Sequence, residues 1–413
     1  MQDTQLYHHL LGIQEPWHVV NVELDLQAEA VRVYIDFDGP KAAFCCPQCG
    51  QYANLYDRRE TRSWRHLDSC QFQTYLVASL PRVSCRHHGV LTANVFWAEP
   101  NSRFTALFER FAIDVLQATQ VQARAAELLG LSADQVQYLM HKAVGRGLAK
   151  RSTAERIVHA GLDEKSFQEG HHYATILSDL DAGRVLDLVE HRTEEATTTL
   201  LKTTLSEEQK ANVASVSMDM WPAFANAQAD VLPEAEIVHD RFHIAGYLNE
   251  AVDATRKDEH RQLLGQDDKT LTKTKYLWLR SDATLTEAQR QSLETLCGLE
   301  LETAKVWAFK ENFRQFFACE TEYGASVFFR QWHEAALALG NVHLSKVALM
   351  LQRHLDGLLA YVRHRVTNAL AENLNGQIQR IKTNARGFRQ FANFRVAILF
   401  FLGKLDLYPQ TSR

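Results

Sequence analysis

The sequence predicts a multidomain α+β protein that carries a large all-α insertion. Three observations point there. Cysteine and histidine pairs sit among runs of alternating polarity near the N-terminus. Residues 157–239 alternate strand-like and helix-like periods. Residues from about Arg241 to Arg365 are almost wholly helical in pattern. The chain has 413 residues, enough for two to four domains. Hydrophobic content of 46% and charged content of 23% are ordinary for a globular protein. The formal net charge of -5 excludes a globally basic binder, so any affinity for nucleic acid must come from local clusters. The start, MQDTQLYHHLLGIQ, lacks a secretory pattern, and Val396–Gly403 is too short to span a bilayer. That stretch is expected to be a buried strand or helix. A cytoplasmic protein with no membrane partner is expected. Five of the seven cysteines precede residue 86, which suggests metal binding in a reducing compartment rather than a disulfide framework.

Residues 17–36 alternate in two runs and predict a β-hairpin. Cys46-Pro-Gln-Cys49-Gly follows in a turn-like setting, Phe72–Leu80 alternates again, and PRVSCRHHG brings Cys85 and His88. Two such pairs match a zinc ribbon, in which each pair sits on a tight knuckle and supplies two tetrahedral corners. The expected ligands of one structural Zn²⁺ are Cys46, Cys49, Cys85 and His88, with Cys45 and His87 as adjacent alternatives. This module is assigned residues 1–100.

Residues 101–152 turn helical. Val121–Gly130 is a short helix ending at glycine. Ser132 then caps a second helix, with Asp134 and Gln135 in its first turn. Two helices about a short turn predict a helix-turn-helix. Gln135, Gln137, Tyr138 and His141 are candidates to face bases, and Lys142 and Arg146 to contact phosphates.

At Ile157 the period changes to strands. IVHAGLD ends in Asp163, Tyr173–Leu180 and Arg184–Glu190 flank a hairpin turn, and a helix covers Thr193–Leu205. ANVASVSMD ends in Asp219. A helix near Pro222–Ala229 and a short strand at Ala235–His239 follow. The order βββαβαβ is that of an RNase H-like fold, in which the first and fourth strands are neighbours, so Asp163 and Asp219 can meet at one edge. The 153 residues from Asp219 to position 372 (372 − 219) are too many for a plain domain, so a helical insertion is expected. The catalytic domain is assigned residues 153–243 and 366–413, with the insertion at 244–365.

Between Asp356 and Asp406 the only acidic residue is Glu372, among eight Lys or Arg. Leu370, Leu374, Ile378 and Ile381 make an apolar stripe, with Glu372, Asn375, Gln379 and Arg386 roughly opposite. Three carboxylates, Asp163, Asp219 and Glu372, suit two Mg²⁺ (or Mn²⁺) ions as hard oxygen ligands. Two such ions can activate the attacking oxygen and stabilise the leaving one in phosphodiester cleavage. Arg380, Lys382, Arg386 and Arg389 are expected to meet DNA phosphates.

The chain resembles the bacterial insertion-sequence transposases of the ISL-three group over nearly its whole length. The motifs are CPxCG with CRHHG, the helix-turn-helix, GLDEKSF, VSMDMWPAF, IVHDRFH and AENLNGQIQRIKTNARGFRQFANFR. The resemblance implies a DDE triad at Asp163, Asp219 and Glu372. It also implies that Asp240 and His243 match a D-x-x-H signature shared by relatives with helical insertions. It implies a DNA transposase that binds the terminal inverted repeats of its element, then cleaves and transfers strands. Its partners would be double-stranded DNA, as element ends and target, and a second copy or more of itself on DNA in the bacterial nucleoid. The alternative is a non-catalytic DNA-binding regulator that keeps the fold.

Overall fold

Alternation in the N-terminal quarter builds a six-stranded sheet. The structure, a computed structural model, describes residues 2–38, 44–168, 170, 172–239, 241–280, 284–365 and 368–410, without the side chains at 368, 369, 371 and 372. Helix α1 (Asp3–Leu10) precedes β1 (Trp17–Asp25) and β2 (Ala30–Phe37). These form the expected hairpin, from Trp17 opposite Phe37 to Asp25 opposite Ala30. Strands β3 (Phe44–Cys45), β4 (Tyr52–Ser69), β5 (Phe72–Cys85) and β6 (Gly89–Thr92) complete a sheet of order β1-β2-β5-β4-β3, with β6 on β5. In this sheet, among the described residues, only β2 and β5 pair in parallel. One face buries Trp17, Phe37, Phe44, Trp64 and Trp97. Several of these rings meet edge to face, the arrangement their quadrupoles favour.

Helices α2 (Ala106–Thr119), α3 (Gln122–Leu129) and α4 (Ala133–Lys150) follow. The Thr105 side chain caps α2, and Gly130 ends α3 at φ +62°. Ser132 and Gln135 form a capping box on α4, which satisfies two backbone donors at its start.

The second sheet is mixed. Its elements are β7 (His159–Ser166), β8 (Tyr173–Asp179), β9 (Arg184–Glu190), α5 (Glu194–Thr204), α6 (Glu207–Asn212), β10 (Ser215–Met218), α7 (Pro222–Val231) and β11 (Glu236–His239). The strand order is β11-β10-β7-β8-β9. Strand β10 runs parallel to both neighbours, while β7, β8 and β9 are antiparallel. Strand β7 continues past Asp163, because Glu164, Lys165 and Ser166 still pair with Thr175, Ala174 and Tyr173. Asp163 therefore lies within its strand rather than at its end.

The helical stretch is α8 (Arg241–Leu264), α9 (Lys275–Leu279), α10 (Glu287–Cys297), α11 (Glu302–Ala318), α12 (Glu322–Ala338), α13 (Val342–Arg353) and α14 (Leu355–His364). Its core is rich in aromatics, with Trp278, Phe313, Phe316, Phe329 and Trp332 buried together. Helices α15 (Asn368–Asn384) and α16 (Phe391–Leu402) follow, so the late apolar run is a buried helix rather than a strand.

The chain forms two compact units, Met1–Arg151 with Leu405–Arg413, and Ser152–Lys404. The sequence places residues 366–413 together in the catalytic domain, whereas the chain after Lys404 packs into the first unit. Local bonding is the reason. Lys150 reaches Asp406 at 2.9 Å, Arg146 donates to the Leu407 carbonyl, and the Tyr408 hydroxyl donates to Asp114 at 2.6 Å.

Candidate active site and metal centre

In the first unit Cys46 and Cys49 sit on the turn after β3, Cys85 closes β5, and His88 precedes β6. Gly50 and Gly89, one residue past each pair, hold φ of +70° and +68°, a region that costs glycine little. The turns aim backbone N–H groups at sulfur. The N–H of Cys49, then that of Gln48, lowers the Cys46 thiol against burial. The N–H groups of His87 and His88 bring Cys85 to about 6. The thiolate is the metal-binding form, so these amides prepare ligands. The four donor atoms lie within 4.8 Å of one another. Cys46 Sγ and Cys85 Sγ each lie 3.6 Å from His88 Nδ1, and Cys49 Sγ lies 3.8 Å from Cys85 Sγ. A tetrahedron with metal–sulfur bonds of about 2.3 Å has edges of about 3.8 Å. The donor set fits a zinc ion, with Cys45 and His87 outside it.

In the second unit β10 pairs with β7 through Ser215–His159, Val216–Ala160 and Ser217–Gly161. That offset of 56 positions (215 − 159) equals the spacing of Asp219 from Asp163 (219 − 163). Carried two residues past its last pair, this register brings positions 163 and 219 level on neighbouring segments. Position 161 needs glycine, since a Cβ there would lie 2.7 Å from Ser178 Oγ and 2.9 Å from Leu180 Cδ2. Asp163 accepts the Glu164 N–H at 2.7 Å and the side-chain amide of Asn375, on α15, at 2.5 Å. Asp219 accepts the Met220 N–H at 2.7 Å and the Tyr247 hydroxyl, from α8, at 3.1 and 3.3 Å. One turn earlier on α8, His243 Nδ1 stands 3.7 Å from Asp219. Burial, then the Asp219 charge, pushes the Tyr247 hydroxyl up to about 12, so it stays a donor at neutral pH. A cleft is lined by Asp163, Ser217, His243, Leu374 and Asn375.

Charge compensation separates these aspartates from their neighbours. Glu164, Asp179 and Asp187 are each ion-paired, with Arg192 at 2.8 Å, Arg184 at 3.1 Å and Arg395 at 2.6 Å. Among the described residues neither Asp163 nor Asp219 has a Lys or Arg within ion-pair distance; neutral donors hold both. Two carboxylates on neighbouring elements without a Lys or Arg partner favour a cation between them. Their hard oxygens fit a divalent metal.

Glu372 falls on α15, one turn before Asn375, but its side chain lies outside the described residues, as does Asp240. Helix α15 runs alongside β7. Asn375 meets Asp163, and seven residues on Lys382 Nζ donates to the Ser166 carbonyl at 2.5 Å. Seven helical residues rise about 10.5 Å, and the three strand residues from Asp163 to Ser166 span about 10 Å. Lys382 is thus engaged with the sheet, while Arg380, Arg386 and Arg389 are exposed. The stripe of Leu374, Ile378 and Ile381 is buried.

On α4, Lys142 and Arg146 point inward, against the expectation of phosphate contacts. Lys142 lies 2.6 Å from Glu109 and 3.0 Å from Glu99, and Arg146 lies 2.6 and 2.7 Å from the same pair. Glu109 is 2% exposed, and a buried carboxylate demands such partners. Gln135 spends its carbonyl on the capping box. Tyr138 and His141 are exposed and Gln137 is half-buried. Sequence reasoning gave Asn375 no partner and did not consider Tyr247. The one signal for Asn375 is its place three residues after Glu372, and Tyr247 offers none.

An acidic sheet edge in one unit and a Cys3His cluster in the other suit a metal-dependent enzyme with a zinc-ribbon module. Residues 160–398 match the ISL3 DDE transposase profile, described as a transposase. Residues 42–88 match the zinc-finger of transposase IS204/IS1001/IS1096/IS1165. The first match spans more than half of the chain, and the chain belongs to the ISL3 family of DDE transposases. It is similar to the transposase for insertion sequence element IS1557 of Mycobacterium tuberculosis, 24% identical over 99% of this chain and 98% of that protein. It is also similar to the transposase for insertion sequence element IS1001 of Bordetella parapertussis, 26% identical over 86% of this chain and 87% of that one. Membership makes it an enzyme of DNA cleavage and transfer that uses divalent metal. Among the described residues no helix is long and apolar enough to cross a membrane.

Proposed function

We propose that this transposase binds the terminal inverted repeats of its insertion sequence and carries out phosphodiester cleavage and strand transfer at Asp163, Asp219 and Glu372. The observation that carries the proposal is the pair of aspartates, related by the β7–β10 register, with no Lys or Arg in ion-pair distance among the described residues. These two and Glu372 would hold two Mg²⁺ or Mn²⁺ ions. When bound, the ions make the attacking oxygen a better nucleophile and stabilise the leaving one. The protein's own share is positioning. Asn375 and Tyr247 each fix one carboxylate, leaving its other lone pairs free to bind. Position 372 precedes Asn375 by one turn, about 4.5 Å of rise, which supports it as the third ligand. His243 stands beside Asp219, where it can orient that group or a phosphate oxygen.

The mixed sheet with α15 and α16 supports an RNase H-like domain interrupted by α8–α14, and α3 and α4 support a helix-turn-helix. On α4 the exposed face with Tyr138 and His141, flanked by Gln135 and Gln137, would read bases. Arg380, Arg386 and Arg389 would hold backbone near the cleft. Cys46, Cys49, Cys85 and His88 would bind one structural Zn²⁺ in the reducing cytoplasm. Pairing two element ends calls for two or more copies on DNA.

The test is incubation of the full chain with labelled element-end DNA and Mg²⁺, mapping each cleaved phosphodiester. Cleavage at the element boundary, absent with Asp163→Ala, supports the proposal. End binding without cleavage under Mg²⁺ and Mn²⁺ would instead favour a regulator.

A further inference from the structure

Most cations of the first unit are spent. Arg32, Arg58, Arg65, Arg82 and Arg124 each pair with a carboxylate, as do Lys142, Arg146 and Lys150. Of the exposed arginines of this unit with no carboxylate within ion-pair distance among the described residues (Arg59, Arg86, Arg103 and Arg110), Arg59 and Arg103 form a pair. They are 44 positions apart (103 − 59), yet the fold brings their segments together. The chain at 101–105 lies along β4. The Arg65 N–H donates to the Arg103 carbonyl at 3.0 Å, the Thr105 N–H donates to the Arg65 carbonyl at 3.0 Å, and Arg62 donates to the Ser102 carbonyl at 2.5 Å. The same segment touches α4, where the Tyr138 hydroxyl reaches the Asn101 carbonyl at 3.4 Å. Burial, then the charges of Arg59 and Arg103, holds the Arg62 guanidinium below its ordinary range. Three like charges therefore gather beside the exposed face of α4. Glu60 on β4 and Asp134 on α4 are the carboxylates of these elements with no ion-pair partner among the described residues.

We propose that Arg59, Arg103 and the half-buried Arg62 form a phosphate clamp that grips the DNA backbone next to the groove entered by α4. Retaining three unneutralised guanidiniums in one place costs stability unless a polyanion completes the site. A guanidinium fork matches phosphate oxygens two at a time. Tyr138 links the clamp to the base-reading face, so backbone grip and base reading share one register. The clamp does for α4 what Lys142 and Arg146, turned inward, cannot.

This inference rests on the proposed recognition of element ends, and one experiment separates the two. The affinity of the full chain is measured across a salt series on a duplex bearing the element end and on a scrambled duplex. Removing two phosphate contacts with Arg59→Ala/Arg103→Ala should weaken binding about tenfold or more on both duplexes. It should also reduce the slope of log affinity against log salt by about 1.8. Arg59→Lys/Arg103→Lys keeps the charge and should keep the slope. Tyr138→Ala should narrow the preference between duplexes with little change in slope. A folded double-alanine variant with wild-type affinity and slope on both duplexes overturns the clamp. Equal wild-type affinity for the two duplexes overturns end recognition, while the slope comparison still decides the clamp.

Discussion

Two candidate metal sites share this chain and are prepared in opposite ways. The Cys46–His88 cluster arises within 43 residues, on two knuckles whose own backbone amides stabilise the sulfur anions. The acidic edge draws Asp163 and Asp219 from neighbouring strands and its supports from α8 and α15. Among the described residues no Lys or Arg pairs with it, and only His243 stands within ion-pair distance of Asp219, at 3.7 Å. A structural site can thus be local and nearly closed by its own turns. The site proposed for DNA and metals is built from distant elements and has no Lys or Arg against its aspartates. The first kind is expected to tie metal to folding, the second to tie metal to reaction alone.

The sharpest break of that contrast is at the acidic edge. Asp163→Ala or Asp219→Ala should lower cleavage of a labelled element end by at least about a thousandfold, with non-additive effects in the double variant. The melting temperature should hold or rise, because one of two repelling charges is gone. A fall in stability comparable to the loss of activity would mean that the pair is structural. Glu164→Ala serves as the control. Asp179→Ala does not, since Asp179 is 3% exposed and closes the β8–β9 turn through Ala182 and Arg184.

Next in size, Cys46→Ser or a strong chelator should remove zinc and unfold the knuckle end of the first sheet. Binding of structural zinc is coupled to folding, at about 10–16 kcal/mol in small modules. Metal content with near-ultraviolet circular dichroism checks it. A zinc-free chain with an unchanged spectrum would show that the turns stand without the ion.

Acid offers a comparison that involves neither site's ligands. His66 in the first unit and His239 in the second are buried, and burial holds both at about 4, against an ordinary 6.5. The unfolded chain takes up protons near pH 6.5, whereas the folded chain does not until about pH 4. The stability present above pH 6.5 is therefore lost as pH falls to 4, by roughly 3 kcal/mol for each group. Melting temperatures between pH 7 and 4.5 should show the fall, and His66→Gln should remove one share.

The smallest expected effect sharpens the idea of positioning. Tyr247→Phe and Asn375→Ala each remove one neutral donor from a carboxylate and should cost about tenfold in cleavage, or about 1.4 kcal/mol. The Mn²⁺ concentration for half-maximal activity should rise in parallel, a response that general loss of fold would not give.

Local signals were legible and long-range commitments were not. The capping box at Ser132 and the CPxCG turn announce α4 and the first knuckle within a few residues. The 18-residue strand β4 stays hidden, because the run from Asp57 to Arg62 is charged and broken by register shifts. The spacing of Asp163 and Asp219 gains meaning only with the β7–β10 register. Lys142 and Arg146 sit where a phosphate contact would be expected. Their partners, 33 to 47 positions away, leave no periodic trace. Helix periodicity assigns a residue to a face, but it cannot say which distant carboxylate already occupies that face.

The tail that follows Lys404 carries a consequence for the order of synthesis. Asp406, Leu407 and Tyr408 bind Lys150, Arg146 and Asp114, yet they are translated more than 250 residues after them. Domains generally fold as they emerge from the ribosome, the earliest first. Here the first unit to emerge is the last to be finished. Until residues 406–408 are made, the inner end of α4 lacks its closing contacts. A nascent chain cut short anywhere in the second unit would carry a first unit in which the last turn of α4 is unsecured.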